Sequence, residues 1–544
     1  MTKTSQWWRG AVTYQVYPRS FQDSNGDGIG DLAGIVDRLD YIAALGVDAI
    51  WLSPFFSSPM KDMGYDVSDY RGVDPLFGTI RDFELLLCEA HARGLKVVID
   101  QVLSHSSDQH PCFKASRQSR DNDFADWYIW ADANSDGTPP NNWLSHFGGP
   151  AWTWDSRRKQ FYLHNFLPSQ PDFNFHNPEV RAWHLENMRF WLEMGVDGFR
   201  LDTVNYYFHD LELRSNPVAP EGLIEFDTIP YFFQDHIFQK SRPENLAFLT
   251  ELRALTDSYD NRVLVGEISA GHRGREVMAN YTRGDDRLHM AYSFDLLGPK
   301  FSPKHFRGVV ETFFEAGPTS WPAWAFSNHD TARHVSRWSE YGEPDAIAQL
   351  ASTLLLSLEG SIFLYQGEEL GQVETELEFE ELRDPSGIAF WPDYKGRDGC
   401  RTPMVWVDGP NAGFTNGDPW LPIKPSQIAR NVADQSGPDS ILSHYQAMIA
   451  LRREKTSLQT GRTQFLDLDD RILAFGRGSD VLCVFNLSGD PVVLPELAAG
   501  VREEMARGFQ AMQGGVTLEG LGYAILSLPA GVSLADVFAG RKGA

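Results

Sequence analysis

Acidic residues near the ends of short apolar runs are the first candidates for chemistry in this sequence. Asp202, Glu267 and Asp330 each belong to a different run, and Arg200 precedes Asp202 by two positions. Residues two apart in an extended strand share a face, so the Arg200 cation can hold the Asp202 carboxylate ionised. Carboxylates that converge without a Cys or His cluster do not suit a transition metal, but they suit the stabilisation of a positive, oxocarbenium-like sugar.

A second group of oxygen donors lies near the N-terminus, in the stretch "DSNGDGIGD" from residue 23. It offers five hard oxygen donors in the order of an EF-hand loop, namely Asp23, Asn25, Asp27, the carbonyl of Ile29 and Asp31. The twelfth place holds Gly34 instead of a bidentate Glu, which argues against a calcium sensor. Two interpretations stay open, one bound divalent cation and a pair of glycine turns without an ion.

Composition narrows the class of protein further. The chain has 544 residues, 42% of them hydrophobic, with 16 Trp and 35 Phe, which is enough for more than one buried core. Its formal net charge of -26 disfavours nucleic acid and anionic membranes as partners. The first residues, "MTKTSQWWRG", lack a signal-peptide pattern, and no apolar stretch reaches membrane-spanning length. The four cysteines are scattered, which predicts free thiols. We therefore expect a cytoplasmic protein that acts on a neutral small molecule.

The elements that must position the acids are short β-branched runs that alternate with amphipathic helical patterns. We count eight runs: "AVTYQVY" from 11, "VDAIWLSP" from 47, "LKVVIDQ" from 95, "VDGFRLD" from 196, "VLVGEI" from 263, "MAYSFDLL" from 290, "WAFSNHD" from 324 and "SIFLYQGEE" from 361. Eight alternating units predict an α/β fold, a (β/α)8 TIM barrel with its chemistry at the carboxyl ends of the strands. For Asp100, at the end of the third run, we favour an orienting role through hydrogen bonds.

Two intervals are too long to hold a single helix. Residues 104–172, rich in Trp, Asn, Pro and Gly, predict a small domain inserted after strand three, and about 369–437 predict a loop insertion after strand eight. From about residue 460 the pattern changes to short alternating β runs. The predicted domains are thus a catalytic barrel (1–103 and 173–459), the inserted domain (104–172) and a C-terminal antiparallel β-sandwich (460–544).

Four motifs at the strand ends resemble the signature regions of the alpha-amylase family of glycoside hydrolases. They are "DQVLSH" (100–105), "GFRLDTVN" (198–205), "GEIS" (266–269) and "FSNHD" (326–330). "QPDFN" (170–174) and "GRDGCRTPM" (from 396) are similar to segments of the oligo-1,6-glucosidase and α-glucosidase branch. Because the motifs keep the family's order over nearly the whole chain, the resemblance is specific.

The resemblance implies a role for each matching residue. Asp202 would be the nucleophile, Glu267 the general acid and then base, and Asp330 the acid that stabilises the transition state. The implied sugar-binding set is Asp62, Tyr65, His105, Phe147, Phe166, Arg200, Thr203, His329 and Arg401. Within it, Tyr65 would stack on the glucose ring, although ordinary core packing is the alternative, and the two histidines would donate hydrogen bonds. Asp62 and Arg401 would pair to close the pocket beyond a terminal glucose.

The resemblance also bears on the cation. Many calcium-dependent amylases carry Asn directly before the first-region His, where it ligates a calcium ion, but this chain has Ser104. We therefore expect no cation between the barrel and the inserted domain. Oligo-1,6-glucosidase-like members bind one divalent ion in a loop similar to residues 23–31. The resemblance thus implies one structural Ca²⁺ or Mg²⁺ and no organic cofactor.

Together these features predict a retaining, exo-acting α-glucosidase that releases glucose from short α-1,4-glucosides such as maltose, with sucrose a further candidate. In this branch, members that cleave α-1,6 bonds tend to have Val directly after the nucleophile, and members that cleave α-1,4 bonds tend to have Thr. This chain has Thr203 at that position. The alternative explanation for Thr203 is simple β-strand propensity. A transglucosidase is the alternative activity, and a non-catalytic sugar-binding homologue fits less well. The expected partner is a small neutral oligosaccharide, and the expected assembly is a monomer or homodimer.

Overall fold

Eight parallel strands form the central sheet of the computed structural model, which describes residues 6–223 and 228–538. They are β1 (Val12–Val16), β2 (Ala49–Leu52), β3 (Lys96–Gln101), β4 (Gly198–Leu201), β5 (Val263–Ile268), β6 (Met290–Ser293), β7 (Ala323–Trp324) and β8 (Ser361–Tyr365). Hydrogen bonding runs from β7 through β8 and β1 to β6, and a parallel bridge between Ala291 and Pro322 joins β6 to β7. The sheet therefore closes into a barrel, as the eight sequence runs predict.

Helices between the strands cover the outside of the barrel. In chain order they are Leu32–Asp37 with Leu39–Ala44, Ile80–Ala92, Pro178–Met194, Asn245–Asp257, Gly274–Tyr281, Pro303–Ala316, Pro344–Ser357 and Ile441–Glu454. Ile80–Ala92 shows why such a segment folds locally: Thr79 and Asp82 form a capping box at its start. Its apolar positions Phe83, Leu86 and Ala90 recur at three and four places and are buried against the barrel.

The segment between β3 and Pro178–Met194 forms a small unit of its own. It contains the helix Pro111–Ser116 and an antiparallel sheet in which Gln160–Leu163 lies between Trp130–Ala131 and Trp152–Asp155. A separate core of buried residues holds it together, including Ile129, Trp143, Trp152, Phe161 and Leu163. An antiparallel bridge between His105 and Asp172 joins the two ends of the segment, so the insertion leaves and re-enters the barrel at one place.

Two long excursions at the carboxyl ends of the strands build the rim of the barrel. The loop after β8 carries the short helices Pro385–Phe390, Asp398–Arg401 and Pro425–Ile428, within the predicted insertion. The other excursion, which no sequence feature predicted, follows β4 and runs to Asn245–Asp257 with only short 3₁₀ turns among its described residues.

The C-terminal part of the chain is antiparallel, as predicted. Its strands are β9 (Thr463–Leu466), β10 (Ile472–Arg477), β11 (Val481–Asn486), β12 (Val492–Pro495), β13 (Arg502–Met512) and β14 (Gly515–Ser527), joined in one hydrogen-bonded sheet. Successive residues of β10 pack into two different cores. Leu473 and Phe475 belong to the core of the barrel, whereas Ile472 and Ala474 belong to a second core that includes Leu534. The strands β10 and β11 are therefore buried on both faces, and they fix the sheet to the barrel.

Two further sequence expectations concern cysteines and membranes. All four cysteines are free thiols. Within residues 6–223 and 228–538, no helix combines the length and the apolar character that crossing a membrane requires.

Candidate active site

The guanidinium of Arg200 lies at the centre of the candidate site and contacts three carboxyl groups. Its Nη1 atom lies 2.7 Å from Asp202 Oδ1 and 2.9 Å from both carboxyl oxygens of Asp100. Its Nη2 atom lies 2.5 Å from Glu267 Oε1. Because Asp100 is on β3, Arg200 on β4 and Glu267 on β5, the barrel brings together acids that are far apart in the chain.

Burial changes the protonation of these acids. It raises the pKa of Asp202 and the pKa of Glu267 to about 7, and it raises the pKa of Asp100 to about 6. The Arg200 charge lowers each pKa, but one cation is divided among three buried carboxyl groups. Arg200 therefore contacts Asp202 as predicted, yet its charge does not offset burial. Because both pKa values are raised and the two acids contact one cation, one acid can be protonated while the other is charged.

Asp330 has the opposite electrostatic environment. Arg401 Nη2 lies 2.8 Å and Arg397 Nη1 3.2 Å from Asp330 Oδ1. Burial alone would raise the pKa of Asp330, but the charges of Arg397 and Arg401 beside it lower that pKa below its usual range. Asp330 is therefore the acid that stays ionised at neutral pH, which fits a group that stabilises positive charge.

The predicted pairing of Asp62 with Arg401 is wrong. Asp62 Oδ1 accepts a hydrogen bond from Arg397 Nη2 at 2.9 Å, and Arg401 donates instead to Asp330 and to the carbonyl of His329. Arg397 also forms a two-point contact with the buried carboxylate of Asp384. Both arginines belong to "GRDGCRTPM", and their spacing of four residues cannot tell which of them faces Asp62.

Tyr65, His105 and His329 line the site close to these acids. The Tyr65 hydroxyl lies 2.5 Å from His329 Nε2, and the two rings are stacked with centroids 5.3 Å apart. His105 Nε2 lies 3.0 Å from the Tyr65 carbonyl, and burial lowers the pKa of His105 to about 4, so its ring is neutral. The three rings thus form an aromatic wall beside Asp100 and Asp330.

Phe147 and Phe166 come from the inserted segment and extend this wall. The Phe166 ring lies 5.1 Å from the His105 ring and 5.9 Å from the Phe147 ring, measured between centroids. The guanidinium of Arg397 lies 5.0 Å from the centre of the Phe147 ring. All of the predicted sugar-binding residues are therefore linked by direct contacts to the cluster around Arg200 and Asp330.

Thr203 is not a strand residue, so the β-propensity explanation for it is wrong. Strand β4 ends at Leu201, and Thr203 has φ 38° and ψ 48°, a left-handed conformation that a β-branched residue adopts only when its surroundings impose it. In this conformation its amide donates to Glu267 Oε2 at 3.1 Å, and its hydroxyl donates to Asp202 Oδ2 at 3.2 Å. Thr203 thus contacts both the predicted nucleophile and the predicted general acid.

Comparison with known proteins agrees with this arrangement. The profile of the alpha amylase catalytic domain matches residues 15–461. The chain is 55% identical, over 89% of its length and 90% of the relative's, to a probable alpha-glucosidase of Rhizobium meliloti (strain 1021).

The chain belongs to the alpha-amylase family and is a glycoside hydrolase. It is also 40% identical to an oligo-1,6-glucosidase of Heyndrickxia coagulans, over 85% of this chain and 88% of the relative. Among solved structures, the alpha-glucosyl transfer enzyme XgtA is 51% identical and superposes with a TM-score of 0.93, over 97% of this chain and 100% of XgtA. The trehalulose synthase MutB from Pseudomonas mesoacidophila MX-45 is 34% identical, with a TM-score of 0.86 over 96% and 99% of the two chains.

In this glycoside hydrolase, sequence reasoning missed Arg397, Asp384 and Tyr292 as members of the site. Arg397 stands four residues before Arg401 in the same motif, "GRDGCRTPM", so the sequence did contain a signal for it. Tyr292 lies in the sixth predicted strand, where a polar ring at an inward position was the available signal; its hydroxyl lies 2.9 Å from Glu267 Oε1. Asp384 also caps the helix Pro385–Phe390, and no sequence signal indicated that it contacts Arg397.

The predicted cation loop of this glycoside hydrolase is closed by its own hydrogen bonds. Asp23 accepts from the amides of Asn25, Gly26 and Gly28, and Asp31 caps the following helix through the Gly34 amide. Carboxylate, amide and carbonyl oxygens are the donors that Ca²⁺ and Mg²⁺ prefer, so the donor chemistry fits. Within residues 6–223 and 228–538, no three His, Cys, Asp or Glu residues form a group that could hold a metal ion, and the cation stays a prediction.

Proposed function

We propose that the protein is a retaining, exo-acting α-glucosidase that releases glucose from short α-1,4-glucosides such as maltose, and that sucrose is a further substrate. The observation that carries this proposal is the single guanidinium that bridges Asp202 and Glu267. Such bridging favours the carboxyl separation of retaining glycosidases, about 5 to 5.5 Å, over the roughly 6.5 to 9.5 Å that inverting enzymes need for a water molecule.

The proposed reaction has two steps. Asp202 attacks the anomeric carbon to form a glucosyl ester, while Glu267 gives its proton to the departing oxygen. Glu267, now a carboxylate, then takes a proton from the water that cleaves the ester, which restores both groups. Asp330, which stays ionised between Arg397 and Arg401, stabilises the positive charge that develops on the sugar.

The preference for a terminal glucose rests on the ion-pair cluster around Arg397. This side chain contacts Asp62, Asp330 and Asp384, and its guanidinium covers the Phe147 ring. Asp62 and Asp384 are almost fully buried, so the cluster is a closed wall and not a mobile surface pair. A wall at the non-reducing end would leave room for one glucose unit and would exclude the interior of a long chain.

For the linkage, we expect Thr203→Val to move the ratio of kcat/KM for maltose to that for isomaltose toward isomaltose. The Thr203 hydroxyl contacts both Asp202 and Ser104, so its loss changes the polar border next to the nucleophile. A single such group shifts discrimination by about 1 to 3 kcal/mol, which means a changed preference and not exclusion. Steady-state kinetics on both disaccharides test this, with 4-nitrophenyl α-glucoside as the linkage-free control. An unmoved ratio would show that Thr203 does not determine linkage, and a wild type that prefers isomaltose would refute the linkage assignment.

Transglucosylation is the second candidate activity, and the similarity to the alpha-glucosyl transfer enzyme XgtA favours it. The same glucosyl ester can pass to a sugar or alcohol hydroxyl instead of water. The test is to incubate the enzyme with maltose and a simple alcohol and to measure the alkyl glucoside and the glucose formed. Their ratio gives the share of the glucosyl ester that passes to the alcohol instead of water. A non-catalytic role is disfavoured because all three acids are present and in contact with arginines.

We also propose that the loop at residues 23–31 binds one structural Ca²⁺ or Mg²⁺. A chelator is then expected to lower the melting temperature more than it lowers activity at room temperature, because a ligand that binds only the folded state adds stability. The loop contributes no acid to the sugar pocket, so catalysis does not need the ion. The measurement is a thermal melt with and without chelator, beside an activity assay. Immediate and reversible loss of activity with an unchanged melt would mean that the ion acts in catalysis.

The proposed location is the cytoplasm, which the four free thiols support, since reducing compartments keep thiols unpaired. A monomer or homodimer stays the predicted assembly.

A further inference from the structure

The hydroxyl of Tyr292 lies between Arg200 and Glu267 and contacts both. Its oxygen is 3.1 Å from Arg200 Nε, 2.9 Å from Arg200 Nη2 and 2.9 Å from Glu267 Oε1. Tyr292 belongs to β6, the strand next to β5, which carries Glu267. Neither the sequence motifs nor the reaction described above assigns this side chain a role.

The direction of each hydrogen bond in this group follows from the chemistry of the donors. A guanidinium has N–H donors and no acceptor, so the Tyr292 oxygen must accept from Arg200. Burial raises the pKa of Tyr292 well above its usual range, and the phenol therefore keeps its single proton. Since both lone pairs face Arg200, that proton is donated to Glu267 Oε1.

The two oxygens of Glu267 are consequently not equivalent. Oε1 accepts the Tyr292 proton and lies 2.5 Å from the cationic Arg200 Nη2, so a proton on Oε1 would face both a donor and a positive charge. Oε2 has only the Thr203 amide as a partner among the described residues and keeps a free lone pair. The proton that the general acid delivers therefore belongs on Oε2.

We propose that Tyr292 is a positioning residue that fixes the general acid through its hydroxyl and leaves Oε2 as the oxygen that gives up the proton. This inference rests on the proposed role of Glu267 and extends it. The ring cannot turn away, because it is buried and lies among Trp51 and Phe363 inside the barrel. The hydroxyl is thus held in one place by the barrel core.

Other charged groups also face Glu267, so the effect of Tyr292 has to be separated from theirs. They are Asp100 on β3, Arg200 on β4, Asp202 after β4 and Asp330 after β7. Removal of the Tyr292 hydroxyl leaves all four in place. A hydrogen bond donated to the charged form of an acid lowers its pKa, so the loss of this donor raises the pKa of Glu267.

The test is Tyr292→Phe, which keeps the ring and removes only the hydroxyl. The basic limb of the kcat/KM profile for maltose is expected to move to higher pH by about 1 to 2 pH units, the size of one hydrogen bond to a charged group. The acid limb is expected to move less, because Asp202 makes no contact with Tyr292 among the described residues. A basic limb that stays in place or moves to lower pH, with only a lowered melting temperature, would overturn the proposal.

A matched control is Tyr207→Phe. Tyr207 is equally buried, and its hydroxyl has no hydrogen-bond partner among the described residues, so this change tests the loss of a buried hydroxyl by itself. The Tyr207 variant is expected to keep the wild-type pH profile. A shift of the same size in both variants would mean a general effect on the core and would contradict the specific role of Tyr292.

The double variant Tyr292→Phe with Glu267→Gln separates this inference from the proposed function. If Tyr292 acts only through the acid, its removal is expected to change kcat/KM little once residue 267 cannot titrate. An undiminished Tyr292 effect in the Glu267→Gln background would refute the inference alone. A Glu267→Gln enzyme with near-normal maltose hydrolysis would refute the proposed function itself.

Discussion

Asp202→Asn is expected to reduce kcat/KM for maltose by about 10⁴-fold or more, the scale of loss when a catalytic nucleophile is removed. The amide cannot form the glucosyl ester, although it preserves the shape of the side chain and its contact with Arg200 Nη1 in part. Asp100→Asn is the informative comparison, because Asp100 contacts the same guanidinium atom. If Asp100 only orients its neighbours, Asp100→Asn should have a kcat/KM for maltose at least a hundredfold higher than that of Asp202→Asn. This difference corresponds to about 3 kcal/mol of transition-state stabilisation.

The stability of Asp202→Asn provides a second measurement. Burial raises the pKa of Asp202 from 3.8 to about 7, so the folded state binds this proton more tightly than the unfolded state. The wild type therefore loses stability as pH rises from about 4 to 7, and Asn removes that loss. The melting temperature of the variant relative to wild type is expected to increase with pH across this window. A difference that does not change with pH would show that Asp202 titrates normally in the folded protein.

Glu267→Gln is expected to reduce kcat/KM for maltose by about 10²- to 10⁴-fold, the usual contribution of a positioned general acid. For 4-nitrophenyl α-glucoside the expected loss in kcat/KM is much smaller, because that leaving group departs without a proton. Equal losses on the two substrates would mean that Glu267 does not protonate the leaving oxygen.

Glu368→Gln is the matched control for this substitution. Burial raises the pKa of Glu368 to about 8, and its carboxyl contacts Tyr445 instead of the Arg200 cluster. The same chemical change at a buried acid outside the site is expected to leave both kcat/KM values near wild type. A large loss in this control would show that Glu→Gln substitution in the buried barrel perturbs the site indirectly.

The active site holds several buried carboxyl groups close together, an arrangement that is unfavourable when the groups are charged and unpaired. Asp100, Asp202 and Glu267 are each less than 6% exposed, and the single Arg200 cation contacts all three. Like-charge proximity and burial both favour the protonated forms, and this raises the pKa values of the two catalytic acids toward neutral pH. The closed barrel can hold such a cluster because neighbouring strands fix the residues through their own hydrogen bonds and core contacts.

The sequence by itself determined the barrel and the positions of its three acids. Strand periodicity is local, and the carboxyl ends of parallel strands lie on one face, so the sequence predicts that Asp202, Glu267 and Asp330 lie close together. Tertiary structure decided the rest. The pairing of Asp62 with Arg397 joins residues 335 positions apart, and either of two nearby arginines satisfied the motif. The left-handed conformation of Thr203 and the position of the Tyr292 hydroxyl depend on neighbouring strands. The raised pKa values depend on burial, which arises only when the whole barrel closes around the charges.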